Sequence, residues 1–422
     1  MSELYSLFYE TKGICTDTRK ILPDSLFIAL KGNNFNGNLF ANKAIDKGAK
    51  FAIVDQKEFA NDRNILYVPS TLKFLQDLAK YHRAKFNIPV IGITGSNGKT
   101  STKELIYSVL AKKFNTIATE GNLNNHLGVP FTLLRIKKEH EIAIIEMGAN
   151  QPGDIQELCE IASPTHGIIT NIGKAHLEGF GNLEGVVQTK SALYRSVRKQ
   201  NGVIFFNQED LLLKSLLDDS TENISFGKAN ANITGQIIEL TPYIHMCWQS
   251  SSYRSENINT RMVGNYNFYN FLAAISIGSY FGVKEIDISD AVATYKPENK
   301  RSQVLETQKN TLIIDCYNAN PTSMLVALES FRDFRNNKKL AIIGDMLELG
   351  EESDLEHQKI IDYCKEHKIE FMTVGPIFNK HNKDRAYKNV EGISSELNMV
   401  NATTILLKGS RGIELEKLIT LL

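Results

Sequence analysis

The sequence predicts an α/β protein of three domains: a doubly wound central sheet of the P-loop type, a smaller α/β domain before it, and a Rossmann-like α/β domain after it. Three observations carry this. The 422 residues exceed what one hydrophobic core organises, so two or three domains are expected. Short apolar runs alternate with helical stretches, which is the rhythm of parallel βαβ units. A Gly-rich turn, Gly95-Ser96-Asn97-Gly98-Lys99-Thr100, follows one such run and opens a helix.

Taken in order, residues 1–83 mix strand-like runs (26–30 and Phe51–Val54) with helical stretches such as Thr71–Arg83, and the Asn/Gly run 32–38 reads as a loop. A new unit begins near Asn87-Ile88-Pro89. There Val90–Thr94 leads into the Gly-rich turn, and Leu105, Ile106, Val109 and Leu110 then fall at helical spacing. Residues 142–145, 167–170 and 203–206 read as buried parallel strands. Residues 225–262 are strand-like without a strong helix, a β-excursion from the main sheet, and 267–282 read as a helix. A second boundary falls near Tyr295-Lys296-Pro297. Beyond it Thr311–Ile314, 340–343, Phe371–Val374 and 404–407 are strands with helices between them. The expected domains are 1–83, 84–296 and 297–422.

Composition narrows the function classes. Lys+Arg and Asp+Glu both number 48, so net charge gives no argument for a nucleic-acid or membrane surface. Cys15, Cys159, Cys247, Cys316 and Cys364 are odd in number and lack CxxC spacing, against both a disulfide framework and a zinc cluster. The N-terminus lacks the basic and apolar regions of a secretory signal, and no run of 18 apolar residues occurs, so the cytoplasm is the expected location.

The Gly-rich turn carries the chemistry. Its glycines let backbone N–H groups converge on an anion, and the helix N-terminus adds partial positive charge. Lys99 is placed to reach β- and γ-phosphates, and the Thr100 hydroxyl to help hold Mg²⁺. The longer phosphate-loop pattern has Gly where Ile93 stands. A turn that merely caps a helix has no need of Lys followed by Thr. Glu146, closing the run 142–145, is a carboxylate at the carboxyl end of a strand and could ligate Mg²⁺ or simply face solvent. His176 lies in the loop Gly173-Lys174-Ala175-His176-Leu177-Glu178-Gly179-Phe180. Mg²⁺ prefers oxygen, so a histidine there points to a second metal position. Lys190, taken alone, reads as a solvated lysine.

With these motifs the chain resembles a Mur ligase of the MurF type over nearly its whole length. Thr16-Asp17-Thr18-Arg19 and Leu30-Lys31-Gly32 resemble the region that grips the UDP end of the substrate. Where the family often continues Asp-Gly-His, this chain has Asn36-Gly37-Asn38. Thr94 to Thr100 match the family's phosphate loop, which has the same shortened pattern. The resemblance implies that Gly95, Ser96, Asn97, Gly98, Lys99, Thr100 and Ser101 hold ATP. Gly121-Asn122-Leu123-Asn124-Asn125 with Gly128-Val129-Pro130 matches a signature near the substrate, implying contacts from Asn122, Asn124 and Asn125; His126 takes no role. Thr100, Glu146 and His176 fall on the magnesium site. Lys190 falls on the lysine that Mur ligases carbamylate, a change that makes it carboxylate-like and able to help hold a second Mg²⁺. Asn267 and Asn270, in and after Gly264-Asn265-Tyr266-Asn267, resemble the segment that meets adenine, with Tyr266 where the family frequently has His. Arg301, Asp315, Tyr317 and Asn318 are implied nucleotide contacts. Asp315-Cys316-Tyr317-Asn318-Ala319-Asn320-Pro321, the string 344–350 with His357, and Lys408-Gly409-Ser410-Arg411-Gly412 complete the pattern.

The resemblance implies ATP-dependent addition of D-alanyl-D-alanine to UDP-N-acetylmuramoyl-tripeptide through an acyl phosphate, in cytoplasmic peptidoglycan precursor synthesis. It implies Lys99, Lys190, His176 and Arg301 as catalytic residues, two Mg²⁺ ions and a monomer. Site assembly from three domains implies closure around the substrates. The nearest alternative is a related ligase adding a single amino acid, such as a MurE-type or folylpolyglutamate-synthase-type enzyme; strings 315–321 and 344–350 argue against it. A P-loop kinase or NTPase would leave the C-terminal motifs unused. A dead scaffold would not need Lys99, Thr100, Glu146, His176 and Lys190.

Overall fold

The computed structural model describes residues 2–240, 242–298, 300–334 and 338–422. They form three α/β units, each built on its own sheet. In the N-terminal unit Ile14–Cys15, Leu26–Ile28, Phe51–Val54 and Ile65–Tyr67 lie side by side, all parallel. The expected loop 32–38 is more ordered than its composition implies. Lys31–Gly32 pairs antiparallel with Phe35–Asn36, and Gly37–Phe40 forms a 3₁₀ turn. The Asn36 side chain caps that turn by accepting from the Asn38 amide, a local bond that short polar side chains favour.

Helix Thr71–Arg83 starts at Ser70, whose hydroxyl accepts from the Lys73 amide. Phe74, Leu75, Leu78 and Ala79 fall on one face and are fully buried. The helix packs on Gly128–Leu133 and Asp154–Ala162 of the central unit. Each large side chain so buried contributes roughly 1.5–3 kcal/mol.

Among the described residues the central sheet has nine strands. Val90–Thr94 lies between His166–Ile169 and Ile142–Glu146, parallel to both. Residues 225–262 do not leave this sheet as expected. Glu222–Gly227 and Ile233–Glu239 extend it in parallel, and His245–Gln249 and Ile258–Asn259 add an antiparallel edge. Antiparallel neighbours need only tight turns, so a stretch without helices can still widen the sheet. Helices Lys99–Leu110 and Asn267–Tyr280 cover one face.

In the C-terminal unit Gln303–Glu306 is an antiparallel edge, followed across the sheet by Thr311–Ile314, Thr404–Lys408, Lys339–Gly344, Phe371–Val374 and Ala386–Tyr387, all parallel. The connection into it turns twice through left-handed backbone, at Lys300 (φ 57°) and Ser302 (φ 52°). Such positions are strained for non-glycine residues and suit a hinge. Among the described residues no helix is long and apolar enough to cross a membrane.

Candidate active site

Ligands of open α/β sheets sit outside the carboxyl ends of the strands, where neighbouring connections diverge. Here that place is the end of Val90–Thr94. Gly95 has φ 149°, and a Cβ on it would lie 1.9 Å from the Thr170 hydroxyl. Gly98 has φ 79° and would press on Asn270 Oδ1 at 3.0 Å. Both must be glycine for the loop to close. The loop is held from the neighbouring strand's exit: the Asn97 amide donates to Asn171 Oδ1 at 3.0 Å and the Gly173 amide to Ser96 Oγ at 2.9 Å.

Lys99 opens the following helix, and its ammonium donates to the Gly95 carbonyl at 2.7 Å and the Ser96 carbonyl at 3.3 Å. Burial lowers it to about 8, Glu146 pulling the other way and Arg301 adding to the fall. One step along the helix, the Thr100 hydroxyl donates to Glu146 Oε1 at 3.1 Å, and Asn124 Nδ2 donates to the same oxygen at 2.7 Å. Glu146 Oε2 is buried and has no hydrogen-bond partner among the described residues. An unpaired buried carboxylate oxygen beside a hydroxyl is costly alone and suits a hard cation, so these residues fit Mg²⁺. No group of three His, Cys, Asp or Glu among the described residues could cage a metal. Mg²⁺ commonly completes its shell with water and substrate phosphate.

His176, at φ 53°, places Nδ1 2.5 Å from Glu348 Oε2 of the C-terminal unit, and this contact holds the Glu348 carboxyl below its usual value. Lys190 is not the solvated lysine its sequence context suggests. It is 1% exposed, with Nζ 5.9 Å from the Phe180 ring centre. Burial drives its amine well below the ordinary lysine value, Lys99 pushes the same way and Asp154 opposes.

A cleft of about 1180 Å³ runs between the central and C-terminal units. Of the residues predicted from sequence it takes in Ser96 to Ser101, Asn122, Asn124, Asn125, Glu146, His176, Arg301, Asp315, Tyr317 and Asn318. The Arg301 guanidinium lies 4.0 Å from the Tyr317 ring centre, a cation–π stack that fixes its direction. Asp315, after Thr311–Ile314, pairs with Lys408 at 2.6 Å, and Asn320 Nδ2 donates to Asn97 Oδ1 of the phosphate loop at 2.8 Å.

Other predicted residues are placed differently. Asn267 and Asn270 line the cleft, but their side chains are engaged within the fold: Asn267 Nδ2 donates to Ser302 Oγ at 2.9 Å and to the Val263 carbonyl at 2.7 Å, and Asn270 bridges Asn267 and Thr102. Tyr266 also meets Ser302, at 2.9 Å. Together they tie the central helix to the connection. Gly95 and Lys190 support the cleft without lining it. Thr16, Asp17, Thr18, Arg19 and Lys31 lie outside it. Asp17 and Arg19 form an exposed pair at 2.8 Å, and Lys31 pairs with Asp55 at 2.8 Å. Asn38 is buried and braces Asp55. The sequence reading assigned no role to His126, Asn150, Gln151 or Asp154, all of which line the cleft, nor to Lys174 and Glu348 as individual residues. The last two stand inside quoted motifs, so the signal was there but not the contact.

Known proteins share this chain's sequence pattern and fold. Three family models match in chain order: Mur ligase family, catalytic domain over residues 10–83; Mur ligase middle domain over 93–278; and Mur ligase, glutamate ligase domain over 300–411. The chain is 32% identical to the UDP-N-acetylmuramoyl-tripeptide–D-alanyl-D-alanine ligase of Bacillus subtilis, over 96% of this chain and 92% of that protein. A crystal structure of MurF from Acinetobacter baumannii matches with TM-score 0.89 at 30% identity, covering 99% of this chain and 97% of that one. The MurF ligase of Thermotoga maritima in complex with ADP matches with TM-score 0.87 at 26% identity, covering 97% of each. The chain belongs to the Mur ligase family.

Proposed function

We propose that this chain is an ATP-dependent, ADP-forming ligase that joins D-alanyl-D-alanine to UDP-N-acetylmuramoyl-tripeptide in peptidoglycan precursor synthesis. The observation that carries this is one cleft in which the phosphate loop and Glu146 face Arg301 and the Asp315–Lys408 pair from a second sheet. Full-length similarity to ligases of that name selects the substrates.

A carboxylate acylates an amine only once its oxygen becomes a leaving group. The γ-phosphoryl of ATP passes to the tripeptide carboxylate, giving an acyl phosphate and ADP; the D-alanyl-D-alanine amine then adds, and phosphate leaves as the amide forms. Two anions must meet in the first step, so cationic groups in the cleft do most of the work. Lys99 and Arg301 supply fixed positive charge. The phosphate-loop amides and the start of helix Lys99–Leu110 hold the phosphates. Bound Mg²⁺ would neutralise and align the phosphoryl oxygens. Thr100 and Glu146 hold one ion in this reading, and His176 with Lys190 a second. Burial disfavours the charged form of Lys190, and the uncharged amine is the form that reacts with CO₂, which supports its carbamylation. Asn122, Asn124 and Asn125 face the acceptor end of the cleft, and Thr16, Asp17, Thr18, Arg19 and Lys31 receive the UDP end at a distance from the chemistry. We place the domain limits at 83/84 and 296/297, with a cytoplasmic monomer as the working form.

A coupled ADP-release assay with UDP-tripeptide and D-alanyl-D-alanine tests the reading. Release that requires both is expected. Full release without the amine, or equal rates with single amino acids, would overturn it.

A further inference from the structure

The loop 173–180 of the central unit meets the C-terminal unit at Thr322, at the turn 345–350 and at Glu352 and Glu356. A Cβ on Gly173 would lie 2.8 Å from Thr322 Oγ1. Lys174 is forked between Glu352 at 2.8 Å and Glu356 at 2.9 Å. At the centre His176 faces Glu348, and both are non-glycine residues in left-handed backbone, φ 53° and 64°. Two such conformations opposite one another persist only where surroundings enforce them. On the C-terminal side the enforcement is visible. The Met346 amide donates to His357 Nε2 at 3.0 Å, and the Leu347 amide to Ser410 Oγ at 2.9 Å. These two bonds tie the turn to the rest of its unit, and Glu348 faces the ring.

A carboxylate facing one imidazole nitrogen favours the proton on that nitrogen and leaves the other as a lone-pair donor. We propose that Glu348 is a positioning residue. When the C-terminal unit docks, it orients His176 with the proton on Nδ1 and leaves Nε2 to ligate a divalent cation in the cleft. Metal affinity is thereby coupled to docking. This rests on the ligase reading above only for the identity of the cation.

The test uses the full chain with ADP. Histidine ¹⁵N spectra report the tautomer of His176, identified by its loss in His176→Gln, and Mn²⁺ binding is followed by electron paramagnetic resonance. The expected result is an Nδ1–H ring in the parent and an Nε2–H ring in Glu348→Gln, with Mn²⁺ bound about 10–100-fold more weakly in the variant. Gln retains the backbone demand of Glu and is the primary variant; Glu348→Asp should restore part of the affinity. Lys174→Ala, which loosens docking without touching the ring, should weaken Mn²⁺ binding in the same direction. An unchanged tautomer and unchanged Mn²⁺ affinity in Glu348→Gln would overturn the inference, even in an enzyme that performs the ligation. A parent that fails to release ADP with both substrates would instead remove the ligase reading and leave these two measurements to judge Glu348.

Discussion

The N-terminal and C-terminal units meet the central sheet through opposite chemistry. On the N-terminal side one hydrophobic core runs without interruption from Leu26, Ile53, Phe74 and Leu78 into Val129, Leu133, Ile155 and Leu158. On the C-terminal side, the core built from Ile343, Leu328 and Ile360 takes in one buried central residue, Val263, among the described residues. Tyr243, partly buried, packs against the same core, and polar contacts make up much of the junction: Asn320 to Asn97, Lys174 to Glu352 and Glu356, and His176 to Glu348. Apolar burial is non-directional and lost only by separation, whereas exposed ion pairs are worth about 0–1 kcal/mol each and exchange readily with water. The first junction should therefore resist separation more than the second, at which the proposed chemistry takes place.

The largest expected effect tests that assignment. Lys99→Ala should lower amine-dependent ADP release at least ~10²–10³-fold while leaving the melting temperature nearly unchanged. A comparable loss of stability would mean that Lys99 holds the fold. The converse substitution lies in the apolar junction. Leu78→Ala should destabilise the protein by about 2–5 kcal/mol in denaturant titration, with activity per folded molecule preserved. Equal loss of turnover would erase the distinction between the junctions.

Acid should separate them next. His82, beneath the N-terminal junction, has Nε2 2.9 Å from the Ile136 carbonyl and Nδ1 2.9 Å from the Tyr9 hydroxyl, the pattern of a neutral ring. Burial lowers it from 6.5, partly offset by the Ile136 carbonyl. Its folded value lies below the unfolded one, so stability falls as pH drops from 6.5 toward that lowered value. Glu356 behaves otherwise. Burial would raise it, but Lys359 and Lys174 outweigh that and hold it below 4.5. Its contribution is present above 4.5 and lost only as pH falls through the lowered value. Hydrogen exchange between pH 6.5 and 4.5 should thus rise at the N-terminal junction before the Lys174 contact changes. Simultaneous loosening would oppose this, and His82→Gln should remove the earlier phase.

The smallest effect on stability comes from Lys174→Ala, about 0.5 kcal/mol or less because the lysine is partly exposed. Small-angle scattering should nonetheless show a larger radius of gyration for this variant in the presence of ADP. An unchanged radius would mean that the fork does not hold the closed arrangement.

Much of this was legible beforehand because it is local. The strands Phe51–Val54, Val90–Thr94, Thr311–Ile314 and Phe371–Val374 and the helix Thr71–Arg83 stand where periodicity placed them. A buried strand is a short apolar run, and an amphipathic helix repeats every 3.6 residues. The phosphate loop was equally plain, since its glycines and Lys-Thr pair act within one turn. Residues 225–262 were misjudged as an excursion because strand content says nothing about which edge a strand joins.

By itself, then, the sequence determined the α/β class and the Gly-rich turn between a strand and a helix. Only tertiary structure decided what the residues around that turn are in contact with. It buried Lys190, tied Asn267 and Asn270 into a brace, left Glu146 with one oxygen unpaired among the described residues and brought Glu348 to His176. The physical reason is that propensity and periodicity act over a few residues, whereas burial, desolvation and charge pairing depend on segments that only the folded chain brings together.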